Sequence, residues 1–295
     1  MTDSGARPAS NSAQVLDVTV VVPVHNSAGT LGRALASIRA QTRQPAAVIV
    51  VDDASSDNSA ELARDLGLAN LRVIRHAVNR GPGAARNTGT TEATTEWVAF
   101  LDSDDEWEPT FLEEVSDVLE STCTDFAASG GVRHFAGGRS ERLIGDEPAL
   151  GSDRTDELWR LWLRFNRSPI NSSSAILRRS LLQRVGGYPE DLRRGEDLVT
   201  YARLWLEGRF AFLNRPLWHV HQTQGSLTTL GPSFYEARQQ LARLGRSLLT
   251  AAIRRRPGAT SFLLVYLQLV ARRLVWVPGW IRSRGEPVGR RRVRG

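Results

Sequence analysis

Three short polar runs in the first third of the chain hold the residues best suited to chemistry: Pro23-Val24-His25-Asn26, Asp52-Asp53 and Asp102-Ser103-Asp104-Asp105. Carboxylates crowded like this repel one another unless a cation or hydrogen-bond donors compensate. A divalent metal is the natural compensator. Carboxylates without a Cys/His cluster select Mg2+ or Mn2+ over zinc, and such ions keep positions open for water and phosphate oxygens. The acidic run therefore points to a ligand that brings a diphosphate. A simple helix cap needs only one acid, and this run has three with Glu106 beside them; Asp57 and Ser59, by contrast, read as caps.

Each run follows a segment of strand type. Val18–Val22 is continuous and β-branched, as a strand buried on both faces should be, and Pro23 is expected to end it by removing a ladder donor. Thr30 is placed to cap a helix with Leu31, Ala34, Leu35 and Ile38 on one face. Val48–Val51 is a second strand, followed by a polar turn and a helix carrying Leu62, Ala63 and Leu66; Leu71–Ile74 is a third. The Gly-rich turn Asn79–Gly83 opens a helix through Arg86, Asn87 and Glu92. Trp97–Leu101 is the fourth strand, and a helix from Pro109 places Phe111, Leu112, Val115, Val118 and Leu119 together. Four β/α repeats make an α/β chain, Rossmann-like, with a mostly parallel sheet and flanking crossover helices. Ligands bind such sheets at the carboxyl ends of the strands, beside the point where strand order reverses. All three polar runs fall at those ends.

From Phe126 the pattern loosens, and Gly130, Gly131, Gly137, Gly138, Gly145 and Gly151 read as turns, a short hairpin or a loop. Helices are expected over Asp156–Phe165 and Glu196–Glu207, with a short strand over Ser172–Leu177. Trp159, Trp162 and Trp205 lie on helical stripes and read as core, whereas Trp107, next to the acidic run, is placed to touch a ligand bound there. His76 and His134 read as surface or satisfied core residues. Beyond Pro232 the chain is basic and helical, most apolar over Phe262–Val270; a spanning helix needs about 20 apolar residues, and Arg272, Arg273, Pro278 and Gly279 interrupt this one. Trp276 and Trp280 beside arginines suit a membrane interface, and a packed helical hairpin is the other reading of the segment.

At 295 residues, 41% hydrophobic and 24% charged, the composition is that of a globular protein. All 38 basic residues are arginine, which excludes chemistry built on a Schiff-base or P-loop lysine. The lone Cys123 allows no internal disulfide and fits a reducing, cytoplasmic setting, peripheral at the inner face of the cell membrane if the basic end meets lipid. Met1–Gln14 is polar, lacks the apolar stretch of a secretory signal and reads as disordered. No motif that reads RNA or DNA accompanies the basic end, so no nucleic-acid partner is expected.

Four runs in order, Val20-Val21-Val22-Pro23-Val24-His25-Asn26, Val50-Val51-Asp52-Asp53-Ala54-Ser55-Ser56-Asp57, Asn79-Arg80-Gly81-Pro82-Gly83-Ala84-Ala85-Arg86-Asn87 and Phe100-Leu101-Asp102-Ser103-Asp104-Asp105, give the chain its resemblance to the inverting family 2 glycosyltransferases of GT-A fold. The resemblance implies a nucleoside-diphosphate sugar as donor, uridine-linked by family habit, and a hydroxyl acceptor, with a lipid-linked glycan favoured by the Arg- and Trp-bearing end. Pro23, Val24, His25 and Asn26 would line the base and ribose pocket, His25 standing where the family often has a stacking Tyr. Asp53 would accept a hydrogen bond from the base edge. Arg86 would face the diphosphate or buttress the pocket, Asp102 and Ser103 would sit near the ribose, and Asp104 would be the principal ligand of Mn2+ or Mg2+. Further along, Val185-Gly186-Gly187-Tyr188 and Gly195-Glu196-Asp197-Leu198 resemble the acceptor-side segment, with Asp197 as general base and Glu196 beside it. A helix N-terminus would hold Asp197 ionised. His221, ahead of Ser226-Leu227-Thr228, would supply a second metal or phosphate contact. The implied organisation is a tail over 1–16, a GT-A domain over 17–230 divided into a nucleotide-sugar half (17–125) and an acceptor half (126–230), and a basic helical extension over 231–295. Two other readings stay open: a catalytically inactive member of the fold acting as a scaffold in glycan assembly, and a nucleotidyltransferase, which typically uses a basic residue such as lysine in its opening Gly-rich loop.

Overall fold

Val18, Val20, Val22 and Val24 face one side of the sheet and Val21 the other, and all are buried, because helices cover both faces. The computed structural model describes residues 15–68, 70–135, 137–143, 170–221 and 245. The first half runs β1 (Leu16–Val24), α1 (Leu31–Arg39), β2 (Pro45–Asp52), α2 (Ser59–Asp65), β3 (Leu71–Arg75), α3 (Pro82–Glu92), β4 (Trp97–Phe100), β5 (Asp105–Trp107) and α4 (Phe111–Thr122). The second half holds β6 (Phe126–His134), β7 (Ser140–Arg142), a 3-10 turn (Ser172–Ser174), β8 (Ala175–Arg178), α5 (Arg179–Arg184), α6 (Glu196–Glu207) and β9 (Phe210–His221).

The strand order is β3-β2-β1-β4-β8-β6-β9-β5, with β7 on β6. The strands β3, β2, β1 and β4 are mutually parallel. Beyond β4 the sheet is mixed: β8 is antiparallel to both β4 and β6, β9 is parallel to β6, and β5 and β7 are antiparallel edge additions. Parallel character is thus confined to the Rossmann-like half and the β6–β9 pair. Chain order reverses at β1, whose neighbours are β2 and β4, so the crevice above β1 and β4 lies at the switch point. Helix α1 buries Leu31, Ala34, Leu35 and Ile38, the stripe read from the sequence, on the face that also holds α4; α3 and α6 cover the opposite face.

Several local expectations give way. Strand β1 continues through Pro23, which pairs with Val51, to Val24. The reason is directional: the Val24 carbonyl accepts from Asp53 toward β2, while the Val21 carbonyl accepts from Leu101 toward β4. Pro23 alternates with Val24, so its nitrogen points to the β4 side, beyond the last β1–β4 partner, Phe100, where no ladder bond is needed. Thr30 stands at the start of α1 but makes no side-chain cap; its hydroxyl donates back to the Ser27 carbonyl at 3.4 Å. The segment from Phe126 opens with a nine-residue strand, which then forms with β7, across Gly137 and Gly138, the short hairpin that is one of the forms expected there; Asp105–Trp107 is a strand, and Ser172–Ser174 is a 3-10 turn leading into β8. The expected helix over Asp156–Phe165, Trp159, Trp162, the tail over 1–14 and nearly all of the basic extension lie outside the described residues. No helix of the described residues is long and apolar enough to cross a membrane.

Candidate active site

The carboxyl ends of β1, β2 and β4 lie side by side, and each of the three polar runs leaves the sheet there. After β1, the His25 ring donates from Nδ1 to the Asp53 carbonyl oxygen at 2.9 Å, leaving Nε2 to accept from the Asn26 amide at 3.3 Å. That pairing selects one neutral tautomer and leaves the ring exposed. Asn26, at φ 51°, donates its own N–H to Ser55 Oγ and accepts from Ser56 N and Oγ, tying the first run to the turn after β2.

Asp53 is buried, and its carboxylate is already well used. Oδ1 pairs with His76 Nδ1 at 2.7 Å and accepts from Arg80 N at 2.8 Å, while Oδ2 accepts from Gly81 N at 2.7 Å. Asp53 thereby shapes the Gly-rich turn. His76, also bonded to Thr88 at 2.9 Å, is the satisfied core histidine expected of it. Asp57 accepts from Ala28 N and from Ser59, holding the turns after β1 and β2 together.

Arg86, buried on α3, is the hub of the site. One guanidinium nitrogen donates to Asp102 Oδ1 and the other to Glu196 Oε1, each at 2.7 Å, and the cation lies 5.2 Å from the centre of the Tyr188 ring. Burial opposes its charge, but Asp102 and Glu196 outweigh burial and hold the guanidinium firmly protonated. Of the two sequence readings of Arg86, the geometry is that of the buttress. Through it the acidic run after β4 meets the first residues of α6, which lie 110 positions from Arg86 in sequence.

Within the acidic run the four residues divide. Ser103 Oγ donates to Ser27 Oγ at 2.7 Å. Asp105 is buried: Ser173 Oγ donates to its Oδ2 at 2.6 Å, Oδ1 has no partner, and burial with the neighbouring Asp102 and Asp104 charges pushes its carboxyl well up. Asp104 is anchored by its backbone, whose carbonyl accepts from Arg33 at 2.6 Å, and its carboxyl has no side-chain partner among the described residues. Burial and Asp102 raise the Asp104 pKa, against Arg33 and His221. Ser173 accepts from Asp102 N at 3.1 Å while its carbonyl takes the Trp107 indole N–H at 2.6 Å. Trp107, stacked on Phe111 at 4.3 Å and buried, is core and does not reach a sugar.

Glu196 and Asp197 open α6 after Gly195, which sits at φ 72°. Glu196 is buried, and burial pushes its carboxyl up to about 7 in spite of Arg86, helped by the Asp197 charge. Asp197 accepts from Leu198 N at 2.7 Å. Burial raises the Asp197 pKa and the Asp102 charge adds to this, while Arg86 and the Leu198 amide at the helix N-terminus lower it, as expected of that position, without outweighing burial.

His221 ends β9 opposite the acidic run, since Asp105 pairs with Val220. Its Nε2 meets Glu106 Oε1 at 3.0 Å and its ring stacks on His134 at 4.8 Å. His134, bonded to Ser140 and His219, is satisfied, and His219 in turn meets Glu108 at 2.7 Å. Among the described residues no group of three His, Cys, Asp or Glu side chains is arranged to hold a metal ion. The contacts that sequence reasoning missed are those of Arg33, Ser173, Asn87 and Tyr188. Only the paired glycines before Tyr188 signalled that a chain was passing close by.

The model of Glycosyl transferase family 2 matches residues 19–186. The succinoglycan biosynthesis protein ExoU of Rhizobium meliloti is 33% identical over 67% of this chain and 59% of its own length, and ExoO of the same organism is 32% identical over 73% and 63%. The chain thus spans about three-fifths of the length of these curated relatives. Among solved structures, S. aureus TarS 1-349 in complex with UDP-GlcNAc superposes with a TM-score of 0.64 over 78% of this chain and 66% of that one, at 22% identity, which shows a common GT-A fold.

Proposed function

The chain belongs to glycosyl transferase family 2, and from that premise we propose that it moves a sugar from a uridine diphosphate donor to a hydroxyl acceptor, with inversion, in building a cell-surface glycan. Relatives named for succinoglycan biosynthesis and a fold neighbour bound to UDP-GlcNAc support this reading. The observation that carries it is the Arg86 fork, which brings the carboxylates of the acidic run and of α6 to one crevice.

In the proposed reaction the exposed His25 ring stacks on the base and Asp53 Oδ2 accepts from its edge, with Pro23, Val24 and Asn26 shaping the floor. Asp102 and Ser103 flank the ribose. Asp197 takes the proton of the acceptor hydroxyl as that oxygen attacks the anomeric carbon from the face opposite the diphosphate, whose bond to the sugar breaks. A raised pKa makes Asp197 a stronger base than an ordinary aspartate. Glu196 is the positioning acid beside it.

The donor set fits a hard divalent cation. It consists of carboxylate oxygens, Asp104 has no side-chain partner among the described residues, and burial, with the charge of Asp102 beside them, raises both Asp104 and Asp105. Fewer than three assembled protein ligands suits Mg2+ or Mn2+, which complete their shells with water and phosphate oxygens. Asp104 would hold the ion, with Asp102 near and His221 contributing if it releases Glu106; when bound, it neutralises charge on the departing diphosphate.

Thermal unfolding against a panel of nucleoside diphosphates, with and without Mn2+, tests this. A ligand at 100 times its Kd stabilises the fold by about 2.7 kcal/mol, so one diphosphate should raise the Tm in a Mn2+-dependent way, and Asp104→Ala should abolish the metal dependence. No shift with any diphosphate would overturn the proposal.

A further inference from the structure

Three residues on one face of α3, Gly83, Arg86 and Asn87, meet the segment that leads into α6. A side chain at Gly83 would come 2.9 Å from the Pro189 carbonyl oxygen and 3.4 Å from Glu196 Cγ. Arg86 holds Glu196 itself. Asn87 does something different: its amide imitates a β-ladder partner for a residue 101 positions away. Nδ2 donates to the Tyr188 carbonyl at 2.8 Å, and Oδ1 accepts from Tyr188 N, also at 2.8 Å. Nδ2 also reaches Glu190 Oε1 at 3.0 Å, and Arg80 closes the circuit on Glu190 Oε2 at 2.8 Å.

The fit is close enough to dictate the neighbour. Gly187 lies at φ 64°, and a Cβ there would stand 2.6 Å from Asn87 Oδ1. With both backbone groups of Tyr188 held, its ring is fixed between the Arg86 cation and Phe100, which it meets edge-on at 5.3 Å. Phe100 is two residues before Asp102. The helix itself meets the segment just before Tyr188, because Thr200 Oγ1, which donates to the Glu196 carbonyl at 2.8 Å within α6, also lies 3.5 Å from the Gly187 carbonyl.

We infer that Asn87 is a positioning residue for glycosyl transfer: by gripping Tyr188 it sets where the start of α6, with Glu196 and Asp197, stands relative to the acidic run after β4. It touches neither donor nor acceptor. Without it the segment keeps the side-chain contacts of Arg86 to Glu196, Arg80 to Glu190 and Arg193 to Asn79, but the Tyr188 backbone loses both bonds that fix its place against α3. Misplacing a reacting group by about 1 Å can cost about a hundredfold in rate.

This inference rests on the glycosyltransferase reading, and the test separates the two. Asn87→Ala and the similarly sized Asn87→Asp, which turns a carboxylate oxygen toward the Tyr188 carbonyl and Glu190, are compared with wild type and Asp197→Asn. Three quantities are measured: amide hydrogen exchange over residues 187–200, UDP affinity with Mn2+, and kcat for transfer. Both Asn87 variants should exchange at least tenfold faster over 187–200 but not over 18–24, keep UDP affinity within twofold, and lose at least tenfold in kcat. A merely structural role would lower UDP affinity along with kcat, and that result overturns the inference. So does unchanged exchange over 187–200, a readout that needs no activity. If Asp197→Asn transfers sugar as well as wild type, the proposed reaction fails, while the exchange data still decide whether Asn87 holds the segment.

Discussion

Glu196 faces a choice that its surroundings decide. Arg86, 2.7 Å away, favours the ionised form; burial favours the neutral one, and burial prevails, holding the carboxyl at about 7. An unfolded Glu titrates near 4.3. Between about pH 4.3 and 7 the unfolded chain therefore releases this proton while the folded chain keeps it. The group's contribution to stability is fully present below the lower value and is lost as pH rises through the upper one. Glu196→Gln keeps an oxygen for Arg86 and cannot ionise. The Tm of wild type should fall relative to that of Glu196→Gln between pH 4.5 and 7.5, and parallel Tm curves would show that Glu196 is ionised throughout. The convergence of the three polar runs was legible in the sequence, because each follows a strand-type segment at the carboxyl end of a parallel sheet. What was not legible is direction. Trp107 follows the acidic run in sequence, yet strand alternation turns its ring inward onto Phe111, and the pKa of Asp197 depends on burial by segments distant in sequence.

Among the elements, those with a strong period were read correctly and those with a weak one were not. The stripe of α1 and the run of α6 over Glu196–Glu207 emerged as expected. Strand β6 did not, since Phe126-Ala-Ala-Ser-Gly-Gly carries neither alternation nor β-branched residues. Its small residues exist for the neighbour: Gly131 pairs with Trp218 on β9, and a Cβ on Gly131 would stand 2.3 Å from the indole. At this position the large side chain of β9 is matched by none on β6. Gly131→Ala must displace Trp218, which also bonds the Ser129 carbonyl at 3.2 Å. Overpacking of this kind costs about 1–3 kcal/mol, so the denaturant midpoint should fall. Because His219 and His221 follow Trp218 on the same strand, their contacts to Glu108 and Glu106 should loosen too, visible as shifted imidazole resonances. An unchanged midpoint would mean that β9 can slide at no cost.

The whole molecule divides its charge unevenly. Residues 232–295 hold 14 arginines against two acids, so the net +6 of the chain is about +12 in that segment and −6 over residues 1–231. An anionic membrane surface would repel the part that carries the candidate site and attract the remainder, fixing which end meets the lipid. Each Arg near such a surface contributes about 1 kcal/mol, and the attraction decays within a Debye length of about 8 Å at physiological salt. The two tryptophans Trp276 and Trp280, set among the arginines, would add an interfacial anchor that salt does not screen. These two components predict different dependences. The full chain should float far more with vesicles containing phosphatidylglycerol than with neutral phosphatidylcholine vesicles, binding to the former should weaken steeply from 0.05 to 0.5 M salt toward the neutral-vesicle level, and a chain ending at residue 231 should stay unbound at every salt. Loss of Trp276 and Trp280 to alanine should leave the low-salt binding and remove the high-salt residue. Absence of flotation with either lipid at low salt would instead place the packed helical hairpin reading first, and with it an acceptor that need not be lipid-linked.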